Sequence, residues 1–353
     1  MMRAGSFPHD LPMQSTTLLL GLTCLALSSS AALCADDEGQ AFRLTHKAHE
    51  KWDYVLPAER WRPVGEKLEL PGGLSFVTEL DGPLKLRIDT NGDGRVDEDV
   101  RGQEGFVTLR GVIDGETVKY SVRLRNSGAG KWDWTSGSSM SGAVAGQTVH
   151  VFDQDGNGRF DDYGVDAIAL GNSKNASLLS TVVPIDGRLQ RFAIDEDGSQ
   201  ARVAPYTGPT GTLEVTSAFE SKGKLTSAVF RSGDMSFEVS GSSKGVELPA
   251  GRYDFVAGRV SKGSSRASMR RGRMGSVEVV AGEATRLEWG AEVVGDFSFK
   301  QTGDQVTVQA DFGFFGTAGE EYYDFFPRGK GPAIVIKDAQ RGKQLREGRF
   351  PES

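Results

Sequence analysis

The chain has 353 residues, with 41 Lys and Arg against 48 Asp and Glu, and a formal charge of −7. That balance argues against a general nucleic-acid binder, because polyanion affinity comes from neutralising phosphates with Lys and Arg. Charged residues at 25% argue against wholesale disorder. Glycine is in excess, 46 residues with no three-residue period, and such an excess marks many tight turns joining short strands.

In chain order, residues 1–35 come first, with only Arg3 and Asp10 fully charged. The apolar stretch Leu18–Leu27 is followed by small residues and then by Asp36 and Asp37. Apolar core, small residues and polar start are the order of a secretory signal, so export is expected, with a mature start near Ala35 or Asp36. Ten apolar residues are too few to cross a bilayer core that needs ~20. Both cysteines, Cys24 and Cys34, fall inside this leader. The mature chain is therefore expected to hold no disulfide and no thiolate metal site. The expected location is secreted, periplasmic or cell-surface.

Residues 36–66 read as a partly irregular N-terminal segment, with one helical spacing over 42–56 (Leu44, Ala48, Trp52, Val55). From Lys67 onward the pattern is short alternating runs such as Phe106–Arg110, Thr117–Leu124, Thr148–Phe152, Ser236–Val239 and Gln305–Phe312. A period of two with β-branched and aromatic residues predicts half-buried strands. The fold class is expected to be all-β, with two or more sandwich-like domains. Prolines 184, 205 and 209 suggest a boundary, giving a β domain over 67–184, a sandwich over 185–292 and a C-terminal β segment over 293–353.

Two acidic loops carry the chemical signal. Residues 89–97 read DTNGDGRVD and residues 153–161 read DQDGNGRFD, each directly after a strand-like run. Calcium is a hard cation that takes six to eight oxygens at ~2.4 Å, and alternate residues of a tightly wound loop point inward together. The ligands would be Asp89, Asn91, Asp93, the Arg95 carbonyl and Asp97 in the first loop. In the second they would be Asp153, Asp155, Asn157, the Arg159 carbonyl and Asp161. The alternative is a plain acidic turn in which Asp and Asn cap their own backbone. A third stretch, Asp195–Ser199, lacks a downstream acid and reads as a hairpin turn.

These loops resemble the EF-hand-like calcium loops of dockerins, thrombospondin type 3 repeats and integrin-type β-propeller repeats. They depart from a helix-loop-helix EF-hand at the twelfth position, where Val100 and Gly164 stand in place of a bidentate Glu. The resemblance therefore implies closure by Asp97 and Asp161, with Asp99 and Asp162 as possible supplements. Separately, Val246–Gly258 (VELPAGRYDFVAG) resembles the strand-turn-strand of transthyretin-like and carboxypeptidase-regulatory-like domains. That resemblance implies a small β-sandwich over 211–289.

Enzyme signals are few. Gly241–Gly245 fits G-x-S-x-G, but the only histidines are His9, His46, His49 and His150, so no base follows Ser243. His46 and His49 are three apart and lack a third ligand, which favours surface histidines on a helical turn over a zinc site. Gly319–Phe326 (GEEYYDFF) sets acids, including Glu320 and Glu321, beside aromatics; it reads as an edge strand or as a place for sugar chemistry. Arg259–Arg273 gathers six cations and no acid, a glycine- and serine-rich hairpin loop suited to an anionic polymer or acidic surface. The expected function is an exported, non-enzymatic calcium-binding β protein with a structural or surface-binding role. The alternative is a secreted carbohydrate-active hydrolase or its accessory domain.

Overall fold

Alternation carries directly into sheet geometry, because successive strand side chains point to opposite faces and only one face of each sheet meets a core. The computed structural model describes residues 39–350 apart from 71–72, 114, 304, 310–311 and 339, so the predicted leader and both cysteines lie outside the described residues. Among the described residues there is no helix, and strands follow one another from Gln40–Arg43 to Gln344–Arg349. The chain is all-β, in several sheets.

Three large apolar clusters organise those sheets, with a smaller fourth around Tyr54, Phe152 and Ala167. In the first, a four-stranded sheet (Lys67–Leu70, Leu74–Leu80, Lys85–Ile88, Glu98–Arg101) faces the strands Arg62–Pro63, Lys131–Ser136, Glu116–Gly128 and Glu104–Ile113. Between them lie Phe76, Leu86, Ile88, Leu109, Val122 and Trp132. The second cluster sits where the sheet of Thr45–Ala48, Ser138–Val144, Gln147–Phe152, Ala167–Leu170 and Ser177–Leu178 meets that of Gln40–Arg43, Gln200–Pro205, Arg188–Ile194 and Val182–Ile185. It includes Leu44, Val149, Val151, Ile168, Phe192 and Ala201. The third cluster, around Phe230, Tyr253, Phe255, Met269 and Trp289, lies under a large sheet that includes Lys224–Ser232, Gly251–Lys262, Ser265–Arg270 and Glu321–Phe326.

Two features depart from the sequence reading. The helix expected over 42–56 is absent. Gln40–Arg43 pairs with Gln200–Val203, and Thr45–Ala48 pairs with Ser138–Ser141. A short helix would leave its ends unsatisfied, whereas two open sheet edges supply partners for these backbone groups. The apolar packing also continues through Pro184. Val183 and Ile185 join the second cluster while Val182 points into the third.

Elsewhere the turns behave as read. Asp195–Ser199 links the antiparallel strands Arg188–Ile194 and Gln200–Pro205. Gly241–Gly245 is a turn between Met235–Glu238 and Val246–Pro249, strand-turn-strand rather than a strand-to-helix elbow. In the stretch Val246–Gly258, Tyr253 is fully buried and its hydroxyl donates to the Pro249 carbonyl at 2.9 Å, tying the strand entry to the preceding turn.

Gly211 shows how closely the third unit is packed, since a Cβ there would lie 2.2 Å from the Val280 carbonyl oxygen, a backbone atom that cannot swing aside. Gly211→Ala is expected to lower unfolding free energy by about 1–3 kcal/mol in urea denaturation. Gly241→Ala, with nothing within 4 Å of its Cβ position, should stay within ~0.5 kcal/mol of the parent.

Candidate metal centre

Both acidic loops are hairpin connections, from Lys85–Ile88 to Glu98–Arg101 and from Gln147–Phe152 to Ala167–Leu170. Each begins with a fully buried Asp that winds the loop around its carboxylate. Asp89 accepts from the Gly92 amide at 2.7 Å and the Gly94 amide at 2.9 Å. Asp153 accepts from the matching amides of Gly156 and Gly158, both at 2.6 Å. The fifth positions match too: Asp93 accepts from the Arg95 amide and Asn157 from the Arg159 amide. The shared glycine and arginine placement thus encodes one backbone trace.

The loops differ in what their remaining oxygens do. In the first, Asp97 turns back on the loop and accepts from the Thr90 amide and hydroxyl and from the Asn91 side chain. Asn91 in turn accepts from the Asp93 amide. Asn91, Asp93, Arg95 and Asp97 are all exposed. Its side-chain oxygens thus cap the loop's own backbone, as Asx side chains do in turns.

The second loop is set into the protein. Asp153 also accepts from the buried Tyr120 hydroxyl at 2.8 Å, and Arg62 donates to the Gly156 carbonyl at 2.9 Å. Gly156 adopts φ 71°, with a Trp134 ring atom 3.2 Å from where a Cβ would be, so only glycine fits this turn. Beyond the predicted span, Arg231 donates to the Gly164 carbonyl and the Gly164 amide donates to Leu179. Strands of the first and third units therefore clasp the loop from two sides.

Ligand atoms of Asp153, Asp155 and Asp166 all lie within 4.8 Å of one another, a group that could hold a metal ion. Asp153 and Asp166 are fully buried. Asp155 Oδ1 and Asp166 Oδ1 are out of solvent and have no hydrogen-bond partner. Burial pushes the Asp166 carboxyl up to about 9, with the Asp153 charge adding to the effect. Burial likewise raises Asp153, against the hydrogen bonds from Tyr120, Gly158 and Gly156. Three carboxylates crowded out of water repel unless a cation joins them, and this donor set is wholly oxygen, as a hard cation requires.

Asp161, the expected closing ligand, has an Oδ1 that is out of solvent with no hydrogen-bond partner and lies 3.1 Å from Nη2 of Arg159, whose guanidinium also meets Glu196. Asp162 accepts from the Asn157 side chain, and its amide donates to Asp166 Oδ2 at 3.2 Å. Asp166 was not among the sequence candidates. Its signal was an acid standing directly before the apolar run Ala167–Leu170, where the returning strand delivers it beside Asp153.

The other candidates fall elsewhere. Glu320 is fully buried and accepts from the amides of Gly290 and Ala318 and from the Tyr322 hydroxyl, while Glu321 pairs with Arg270. Glu321–Phe326 is no edge strand. It pairs with Ser265–Arg270 on one side and Gly313–Phe315 on the other, with Tyr322 inward and Tyr323 exposed. His46 and His49 sit on no helix, and His49 is buried. Its Nε2 is 2.8 Å from Ser139, Ser139 is 2.7 Å from Ser141, and Ser141 is 2.5 Å from His150 Nδ1. His46 lies apart, 3.3 Å from Ser121.

No family model, no curated protein and no solved structure matches this chain.

The histidine chain gives the first test near this centre. Burial, with Lys47 and Lys174 nearby, holds both His49 and His150 down to about 4, and the neighbouring ring adds to the effect at His49. A histidine kept neutral in the fold gives stability that is complete above its unfolded value near 6.5 and is lost as pH falls toward 4. The melting temperature of His150→Gln is expected to fall less than the parent's between pH 7 and 5, by calorimetry at matched calcium. Equal slopes would show that His150 titrates alike in both states.

Proposed function

We propose that this chain is an exported β protein in which loop 153–166 holds one calcium ion, and that the ion's role is structural. One observation carries the reading: Asp166 is fully buried, has an oxygen without a hydrogen-bond partner, and offers a ligand atom within 4.8 Å of those of Asp153 and Asp155. A buried acid without partner or counter-charge is costly, and a divalent cation supplies what is missing. Asp153, Asp155 and Asp166 would be its carboxylate ligands, with Asn157, Asp161 and the Arg159 carbonyl of the same loop as the further oxygens. Calcium suits an irregular site of six to eight oxygens, where magnesium demands a near-octahedral one.

Asp166 supplies the charge that the loop lacks at its twelfth position. The ion would stiffen a loop clasped by Tyr120, Arg62 and Arg231, and so brace strands of all three units at once. The leader supports export, and a role at a surface or in a matrix follows from calcium levels there. The first loop, closed by its own hydrogen bonds, is assigned the part of a turn.

With ~1 mM calcium and a Kd on the order of 10⁻⁴ M, one site contributes ~1.4 kcal/mol. That corresponds to a rise of roughly 3–6 °C in melting temperature. The expected calorimetric titration shows one calcium per mature chain. Asp166→Asn should abolish both the binding and the calcium-dependent rise, and should leave the protein in chelator as stable as the parent or more so. Asp93→Ala should leave the calcium response intact. Loss of the response in Asp93→Ala but not in Asp166→Asn would move the site to the first loop.

A further inference from the structure

The run Arg259–Arg273 is not a loose loop. It lies in two long paired strands, Gly251–Lys262 and Ser265–Arg270, and in the residues just after them. Three of its cations are neutralised by acids far away in sequence. Arg270 meets Glu321 at 2.8 Å, Arg271 meets Asp254 at 2.9 Å, and Arg273 meets Asp296 at 2.6 Å. Lys262 and Arg266 have no ion-pair partner among the described residues. Arg259 is half-buried, with Asp324 as its acidic neighbour.

Arg266 shares one sheet face with Lys224, which likewise has no ion-pair partner among the described residues. Register places Lys224, Ser261, Arg266 and Phe326 side by side in one row. Arg259, Ser268 and Tyr323 form the next row. Cross-strand neighbours share a face, so this face carries guanidinium, ammonium, hydroxyl and aromatic groups together. The Arg266 guanidinium lies over the Phe326 ring at 4.5 Å, and Phe326 remains 47% exposed. Stacking holds the plane of the guanidinium and leaves its N–H edge free for two parallel bonds to a carboxylate. At the hairpin tip the face runs into a groove of about 430 Å³, where Lys262 and Arg266 stand beside the apolar Val260, Phe325, Phe326 and Pro327.

We propose that this face and groove bind a carboxylated polysaccharide. The Arg266 guanidinium and Lys224 would take the carboxylates, the serine hydroxyls would meet sugar hydroxyls, and the exposed rings of Phe326 and Tyr323 would lie against sugar faces. Each exposed ring is paired with a cation, Phe326 with Arg266 and Tyr323 with Arg270, which favours a sugar chain over a lipid surface. The site is distinct from the acidic loop and does not depend on it.

The test is calorimetry of the mature protein with an oligogalacturonate, run at low and at physiological ionic strength, in calcium and in chelator. Binding is expected in both, weakening with salt as exposed charge contacts do. A neutral oligosaccharide of equal length should not bind. Arg266→Gln and Phe326→Ala should each weaken binding about tenfold or more, with the parent's circular dichroism retained. Arg273→Gln, whose charge is already neutralised, should bind like the parent. Absence of binding at low salt, equal binding by Arg266→Gln and the parent, or binding to anionic vesicles without oligogalacturonate binding would each overturn the proposal. Binding seen only in calcium would do the same, since it would place the glycan on the ion.

Discussion

The carboxylate of Asp153 is the point on which the centre of this molecule turns. One side chain collects three backbone amides of its own loop, from Gly156, Asn157 and Gly158, and the hydroxyl of Tyr120 from another sheet. Those bonds set the winding of the loop, and the winding sets where Asp155 points. They also fix the loop against Trp132 and Trp134 of the first core, because Tyr120 belongs to that cluster. An ionised carboxylate in such surroundings is tolerable only when fully hydrogen-bonded. Asp166 has no comparable set of donors, and this contrast between two buried acids a few ångströms apart marks the site.

Around that centre the three units are joined through backbone and side chain alike. Ser180 accepts from the Ser236 amide at 3.0 Å, and the Thr181 amide donates to the Asp234 carbonyl at 3.0 Å. Asn175 donates to the Thr226 carbonyl. Val182 and Val183, adjacent in sequence, serve different cores because strand side chains alternate. Loosening any one unit therefore disturbs the edge of its neighbour, and a brace at loop 153–166 acts where these joints are concentrated.

How much was legible depended on sequence distance. Strand class was legible because alternation is local, and the repeated glycine and arginine placement of the two loops was legible because it lies within one short stretch of chain. Asp166 was not, since it enters from the returning strand and no loop spacing announces it. The pairing of Arg270, Arg271 and Arg273 was equally hidden, because Glu321, Asp254 and Asp296 come together with them only through sheet register. The same holds for His49 and His150, brought together by the pairing of Thr45–Ala48 and Gln147–Phe152 on either side of Ser138–Val144. Local spacing revealed the shape of the candidate site, while long-range pairing decided which of its charges stay unpaired.

The two N-terminal strands carry a consequence for the order in which the molecule can be made. Gln40–Arg43 and Thr45–Ala48 are the first described strands, yet their partners are Gln200–Val203 and Ser138–Ser141. Two sheets therefore keep an open edge until their distant partners, Ser138–Ser141 and Gln200–Val203, are free to fold. Non-local closure of this kind is slow, and an open edge invites pairing with other chains. A nascent chain held unfolded through such an interval, as during passage across a membrane, avoids that hazard because its edges first exist when their partners are already at hand.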